Sequence, residues 1–422
     1  ESPSSIEFVE VHRPRGKPMF LVVRPIDRKS IDTWERLPPD GQQQLRGRLE
    51  KYKNRALIEG RRMEDLTLSA TRYDGQLRFE YQGSWFSLKS TADEPMTRRA
   101  IVRLEQIFTA YRQLLPPRWT SAGKLQIQIF GGSDQYREAL GEMGLEIRNP
   151  AVFLTDRRLI LAGSDMNRFD AELAQINRQH RQVRRELDAL VAETPARLKD
   201  LNEELRQADV PAGERQKILL GEQKKWEEQR KAVKKKIAAL DRKNSAKFNE
   251  VAGRMFTRLA HEAFHAYLDS VYPRQAYDVP RWLNEGLAQV FEAGLLESDT
   301  LRIDTPNWVA LSQLQSDLRS GQPLELSELL TADSDTFLSA HTASAEAASR
   351  LYYYSWGLAY YLAFEQGVLG SADFEAYLNP AAAGKAPVDR FEKLVGESLG
   401  PFQDRWRLAM LDLKPLPAGA QK

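Results

Sequence analysis

Cysteine is absent from the 422-residue sequence, which removes disulfides, thiolate nucleophiles and cysteine zinc sites and leaves His and carboxylates as metal ligands. Histidine is scarce, at five residues. No run of 18 or more apolar residues exists, so no segment is expected to span a membrane. Charge of one sign is lacking too: 61 basic and 59 acidic side chains leave a net +2, so no whole-molecule field favours nucleic acid. The chain has 42% hydrophobic residues, enough for real cores and for two or three domains. It begins at Glu1 with ESPSS and no Met, which fits a mature product after signal-peptide removal. An exported location, periplasmic, cell-surface or secreted, is the expectation.

The pattern along the chain predicts an α+β protein. Residues 5–12 and 18–25 read as strands, and a charged helical stretch begins near Pro38-Pro39 and runs to about residue 62. LTLSATRY and QLRFEYQ flank Asp74-Gly75, a hairpin signal, and SWFSLKS adds a third strand. These form an N-terminal α+β unit, residues 1–95. Residues 96–165 supply a helix ended by Pro116-Pro117, a strand KLQIQIF, a Gly131-Gly132 turn into a short helix, and two strands, AVFL and RLILA, around TDRR.

Texture changes over residues 166–250. Apolar residues recur at steps of three and four, Val183, Leu187 and Leu190 on one arm, then Leu219, Trp226, Val233, Ile237 and Leu240 on the other. Such a seam, broken near Val210-Pro211-Ala212-Gly213, predicts an antiparallel coiled-coil hairpin of about 40 residues per arm, roughly 60 Å long. Pro195 should kink its first arm. The lysine clusters at 224–225 and 234–236 alternate with Glu and lack interleaved aromatics, so they read as a solvated face, and no nucleic-acid partner is expected. The second arm runs on into the helix of RLAHEAFHAYL, within the segment 251–415 that closes the fold. Residues 416–422 read as a flexible tail.

That run carries the chemistry. His261 and His265, four apart on a helix, point at one ion, while Glu262, offset by about 100°, can reach a water without occupying the metal. A catalytic zinc needs a third protein ligand, and with no Cys and only His341 downstream a carboxylate must supply it. Glu285 presents one on an amphipathic segment that starts after Pro280.

His261-Glu262-Ala263-Phe264-His265 followed by Trp282-Leu283-Asn284-Glu285-Gly286-Leu287-Ala288 resembles the gluzincin metallopeptidases of the thermolysin clan. It looks most like the peptidase-MA-like group, bacterial and largely exported, long catalogued as a domain of unknown function. The resemblance covers residues 97–165 and 250–380, and the hairpin would be an insertion in its zincin-like domain of small mixed sheet and active-site helices. It implies a zinc-dependent peptidase in which His261, His265 and Glu285 hold Zn²⁺ and Glu262 is the general base. The run RLYYYSWGLAYYLAF resembles the tyrosine motif of the aminopeptidase branch and makes Tyr352 the oxyanion donor, with Tyr353, Tyr354 and His341 as rivals.

Two departures from the clan pattern stand out. The clan's Asp four residues after the ligand Glu is here Gln289, whose amide would orient the first His less strongly. No Gly-x-Met-Glu-Asn segment precedes the His pair, so exopeptidase action has no support. Clan endopeptidases bind substrate along a sheet edge, for which Arg158–Ala162 is the expected strand. The competing reading is a scaffold protein that meets a protein partner through the hairpin and holds only a structural or residual zinc.

Overall fold

The computed structural model describes residues 5–12, 20–27, 38–53, 55–73, 75–117, 124–166, 170–273, 277–296, 301–337, 345–379 and 386–414, with single positions at 29, 31 and 33. Asp74, His341 and the tail 416–422 lie outside the described residues.

The fold is mixed α+β. Strands β1 (Ser5–His12) and β2 (Phe20–Asp27) pair antiparallel as a separate ribbon. Helices α1 (Pro39–Lys53) and α2 (Arg55–Asp65) follow. Next come β3 (Ser69–Tyr73) and β4 (Gln76–Gln82), an antiparallel hairpin in which Gly75 takes the positive φ of 75°. They open a six-stranded sheet completed by β5 (Phe86–Ser90), β6 (Leu125–Phe130), β7 (Ala151–Leu154) and β8 (Leu159–Gly163), in the order β3-β4-β5-β6-β8-β7. The parallel register of β5 on β6, Phe86 opposite Leu125, carries this sheet across residue 95. This sheet therefore joins strands from both sides of residue 95, while β1 and β2 pair in a sheet of their own.

Helix α3 (Glu94–Leu114) begins under an Asp93 cap, with Pro95 in its first turn, and packs on one face of the sheet. Helix α4 (Ser133–Glu142) covers the other face through Tyr136 and Leu140, which meet Leu159 and Leu161. Alternate residues of β8, Ile160 and Ala162, join the main core, so both faces of this strand are buried. At the start of α4, Asp165 accepts from the Ser133 N–H at 2.9 Å, so a carboxylate of the chain satisfies the helix end behind Gly131-Gly132.

Helices α5 (Asp170–Gln207) and α6 (Ala212–Val271) pack along each other as a hairpin with a four-residue connection. Leu187 and Ile237 are buried, and across the arms the Arg197 guanidinium sits 6.0 Å from the Trp226 ring centroid. The lysines at 224–225 and 234–236 are exposed. Sixty residues make α6 about 90 Å long, and its far end enters the main core without a break, carrying His261 with it.

Around that end pack α7 (Arg281–Glu292), α8 (Trp308–Leu318), α9 (Leu326–Thr331), α10 (Ala345–Tyr361), α11 (Ala372–Leu378), α12 (Pro387–Val395) and α13 (Leu399–Asp412). The strands β9 (Leu295–Leu296) and β10 (Leu301–Arg302) form a small ribbon. An aromatic cluster locks α3, α6 and α7 together: Tyr111 and Phe291 meet edge to face at 4.6 Å, and Phe264 stacks on Phe291 at 4.9 Å. Phe264 lies within the His-pair run, so the same turn of α6 anchors the core and presents the imidazoles. Among the described residues no helix is long and apolar enough to cross a membrane.

Candidate metal centre

Two helices meet at one point. Helix α6 brings His261 and His265, and α7, starting directly after Pro280, brings Glu285. One ligand atom from each of these three residues lies within 4.8 Å of the others, so the triad can hold a metal ion. Glu285 Oε2 is 3.5 Å from His261 Nε2, and Glu285 Oε1 is 3.7 Å from His265 Nε2. Both Nε2 atoms thus face the shared point.

Each Nδ1 faces away and is held. His261 Nδ1 lies 2.8 Å from Glu292 Oε2, and His265 Nδ1 lies 2.8 Å from Asn284 Oδ1. An acceptor at Nδ1 fixes the proton there and leaves Nε2 as the lone-pair donor, which a metal ligand requires. The orientation expected of Gln289 comes instead from Glu292. Gln289 donates through Nε2 to the Tyr352 carbonyl at 2.9 Å, tying α7 to α10, so the first imidazole has a carboxylate partner after all.

Burial would depress the His261 imidazolium, but the hydrogen bonds to Glu285 and Glu292 outweigh it and hold the group above the ordinary histidine range. His265 is pushed down, by burial and then by the charge of His261. Burial would also raise Glu285, yet the His261 hydrogen bond and the nearby cationic groups bring it down to about 2. The carboxylate is therefore ionised at any working pH.

Glu262 stands beside the triad and is 7% exposed. Its Oε2 accepts from the Phe153 N–H at 3.0 Å, and its Oε1 lies 2.6 Å from Arg258 Nη2. Arg281 makes the matching contact one helix over, 2.8 Å from Glu285 Oε1. Both arginines sit four residues before their carboxylates, a spacing that puts each pair on one helix face.

Phe153 belongs to β7, and β7 is the edge of the sheet nearest the triad. The strand expected at that edge, Arg158–Ala162, is interior: β8 runs between β6 and β7. Its unbroken apolar run fits a strand covered on both faces rather than an edge.

Two cavities share Glu262, His265 and Arg281 in their linings. The first, about 410 Å³, is polar and includes Asn149, Arg258, His261, Glu285, Gln289, Glu292 and Tyr352. The second, about 510 Å³, includes Phe153, Thr155, Leu268, Tyr272, Tyr277 and Val279. Tyr352 therefore opens onto the triad, and burial, then the Glu285 charge, raise its pKa, so its hydroxyl keeps its proton. Tyr354 turns the other way, with its hydroxyl 2.6 Å from Asp317 Oδ2, and Tyr353 shares that environment through Asp317 and Arg350. The rival His341 lies outside the described residues.

Sequence reasoning missed Glu292, Arg258, Arg281 and the positioning role of Asn284. A signal exists for each: Glu292 is seven residues after Glu285, two turns along one face, and the arginines are i, i+4 partners of Glu262 and Glu285.

Residues 256–389 match a family model described as "Protein of unknown function (DUF1570)". No curated protein and no solved structure matches the chain. The matched segment holds His261, Glu262, His265, Glu285, Glu292 and Tyr352, so every group around the candidate centre except Phe153 and Asn149 falls within it.

Proposed function

We propose that the chain is a zinc-dependent peptidase of the gluzincin type, hydrolysing peptide bonds in the cleft along β7. The observation that carries this reading is the convergence of His261, His265 and Glu285 on one point with Glu262 in the same cavity. Two imidazoles and one carboxylate, without cysteine, suit zinc with an open position. The same donor set also suits non-haem iron(II), but a carboxylate placed beside the site without joining it is what hydrolysis needs. When bound, such an ion polarises a carbonyl and lowers the pKa of a water.

The chain's own residues do the rest. Glu292 and Asn284 hold the two imidazoles in the ligating tautomer. Glu262 keeps lone pairs beyond those facing Phe153 and Arg258, so its carboxylate can take a proton from water and pass it to the leaving amine. Tyr352 donates its hydroxyl hydrogen to the developing oxyanion. An extended substrate adds along the outer edge of β7 beside Glu262, and its side chains enter the two cavities. The hairpin of α5 and α6 is read as a coiled-coil insertion in this zincin-like domain.

Glu262→Gln tests the mechanism. The variant should keep its metal and lose hydrolysis of unstructured protein substrates by about 10²–10⁴-fold, and activity retained in the metal-loaded variant would sink the reading.

A second reading, a scaffold whose zinc turns nothing over, draws on the hairpin's exposed apolar residues, Val191, Ile218 and Leu220. Stoichiometric zinc in the wild-type protein with no cleavage across broad peptide libraries selects it.

A further inference from the structure

Away from the triad, α2 and α5 enclose a cleft of about 360 Å³ lined by Arg61, Glu64, Arg181, Arg184, Arg185 and Asp188. Arg181, Arg184 and Arg185 follow the i, i+3, i+4 spacing that puts them on one face of α5, and Arg61 comes across from α2. Arg184 is the anchor. Its side chain is 11% exposed and its Nη1 lies 3.0 Å from Glu64 Oε1.

The guanidinium lies against the backbone of α2: a Cβ at Gly60 would stand 1.6 Å from Arg184 Nη2, the far end of the side chain. The Glu64 carboxylate holds it there. Like charges one helical turn apart, Arg181 and Arg185, repel. Glu64 and Asp188 offset two of the four guanidiniums, leaving two positive charges facing the cleft.

We propose that this cleft binds a phosphate-bearing anion. A phosphate monoester carries about −1.5 to −2 at neutral pH, which matches the uncompensated charge. Guanidinium forks pair with phosphate oxygens two at a time, and forks arriving from two helices suit a tetrahedral group with oxygens on every side better than a planar carboxylate. Bound there, the anion bridges α2 and α5 and stiffens their junction. The site does not depend on the peptidase reading, because none of its residues touches the triad cleft.

The same chemistry is offered by a soluble phosphate compound or by a phospholipid headgroup. The test uses the full chain at low salt, titrated with inorganic pyrophosphate by calorimetry and thermal shift, beside flotation with phosphatidylglycerol-containing and pure phosphatidylcholine vesicles. Saturable pyrophosphate binding with a raised Tm and no vesicle capture assigns a soluble ligand. Capture by the phosphatidylglycerol vesicles alone assigns a headgroup. In either case Arg61→Ala/Arg185→Ala should weaken binding about tenfold or more, the loss expected for a charge-assisted hydrogen bond, and both positions are exposed, so the variant should fold. The Arg61→Lys/Arg185→Lys variant should also bind more weakly than wild type. No binding of either probe, or equal binding by wild type and the lysine variant, would overturn the proposal.

Discussion

Glu292 Oε2 lies 2.8 Å from His261 Nδ1, and Glu292 follows Glu285 by two helical turns on α7, so one helix face supplies both the triad carboxylate and the group that orients an imidazole. Removing such a partner costs about 10–100-fold in metal affinity. Glu292→Ala should show that loss in a competitive chelator titration. Gln289→Ala should change affinity far less, since the Gln289 amide donates to the Tyr352 carbonyl and not to His261. A larger loss for the Gln289 variant would mean that the imidazole is held differently from the geometry described.

Tyr352 and Tyr354, two residues apart, separate chemistry from stability. Tyr352→Phe should lower kcat about 10²–10³-fold with metal content unchanged, the loss expected for one oxyanion donor. Tyr354→Phe instead removes a partner from Asp317 and from the Leu324 N–H, and should cost about 1–3 kcal/mol in urea unfolding while folded protein keeps its activity. The reverse pattern would move the oxyanion role away from Tyr352.

Much of this was readable in advance because period and punctuation are local. The strand Ser5–His12, the Gly75 turn, the start of α7 after Pro280 and the triad itself all follow from spacing within one element or between two. What was not readable is pairing order. AVFL and LILA are both short apolar runs, and nothing within either says which is covered by the other, so the sequence alone does not distinguish the edge strand β7 from the interior β8. The join of β5 to β6 is hidden for the same reason, since parallel register is set by a crossover through α3. Three consecutive tyrosines point in directions 100° apart, and the one that meets the triad is decided by how α10 rotates against α7.

Asp317 ties α8 to α10 and sets an acid-stability signature. Burial would raise its pKa, but hydrogen bonds from Tyr354 and Arg350 outweigh this and hold the carboxyl below the ordinary range. A carboxyl depressed in the folded state contributes stability that is complete above the unfolded pKa, about 3.9, and is lost as pH falls through the lower folded value. Urea midpoints should therefore drop between pH 6 and pH 3 in wild type. Asp317→Asn should start lower at pH 6 and lose less over the same interval. Equal drops would show that the Asp317 pair contributes nothing to the acid limb.

Gly286, next to Glu285, lies where α7 packs tightly on α10. A Cβ at this position would lie 2.2 Å from the Ser355 carbonyl oxygen and 2.8 Å from Ala359 Cβ, and the first of these is backbone that no rotamer change can move. Gly286→Ala should force the helices apart at a cost of about 1–3 kcal/mol, the usual range for overpacking. Because α7 carries Glu285 and α10 carries Tyr352, metal affinity and turnover should fall together although the added methyl touches neither residue. Ala359→Gly in the same chain relieves the side-chain contact and leaves the backbone one, so it should restore little of the loss. Full rescue by that second change would place the close approach at Ala359 and detach the helix spacing from the site.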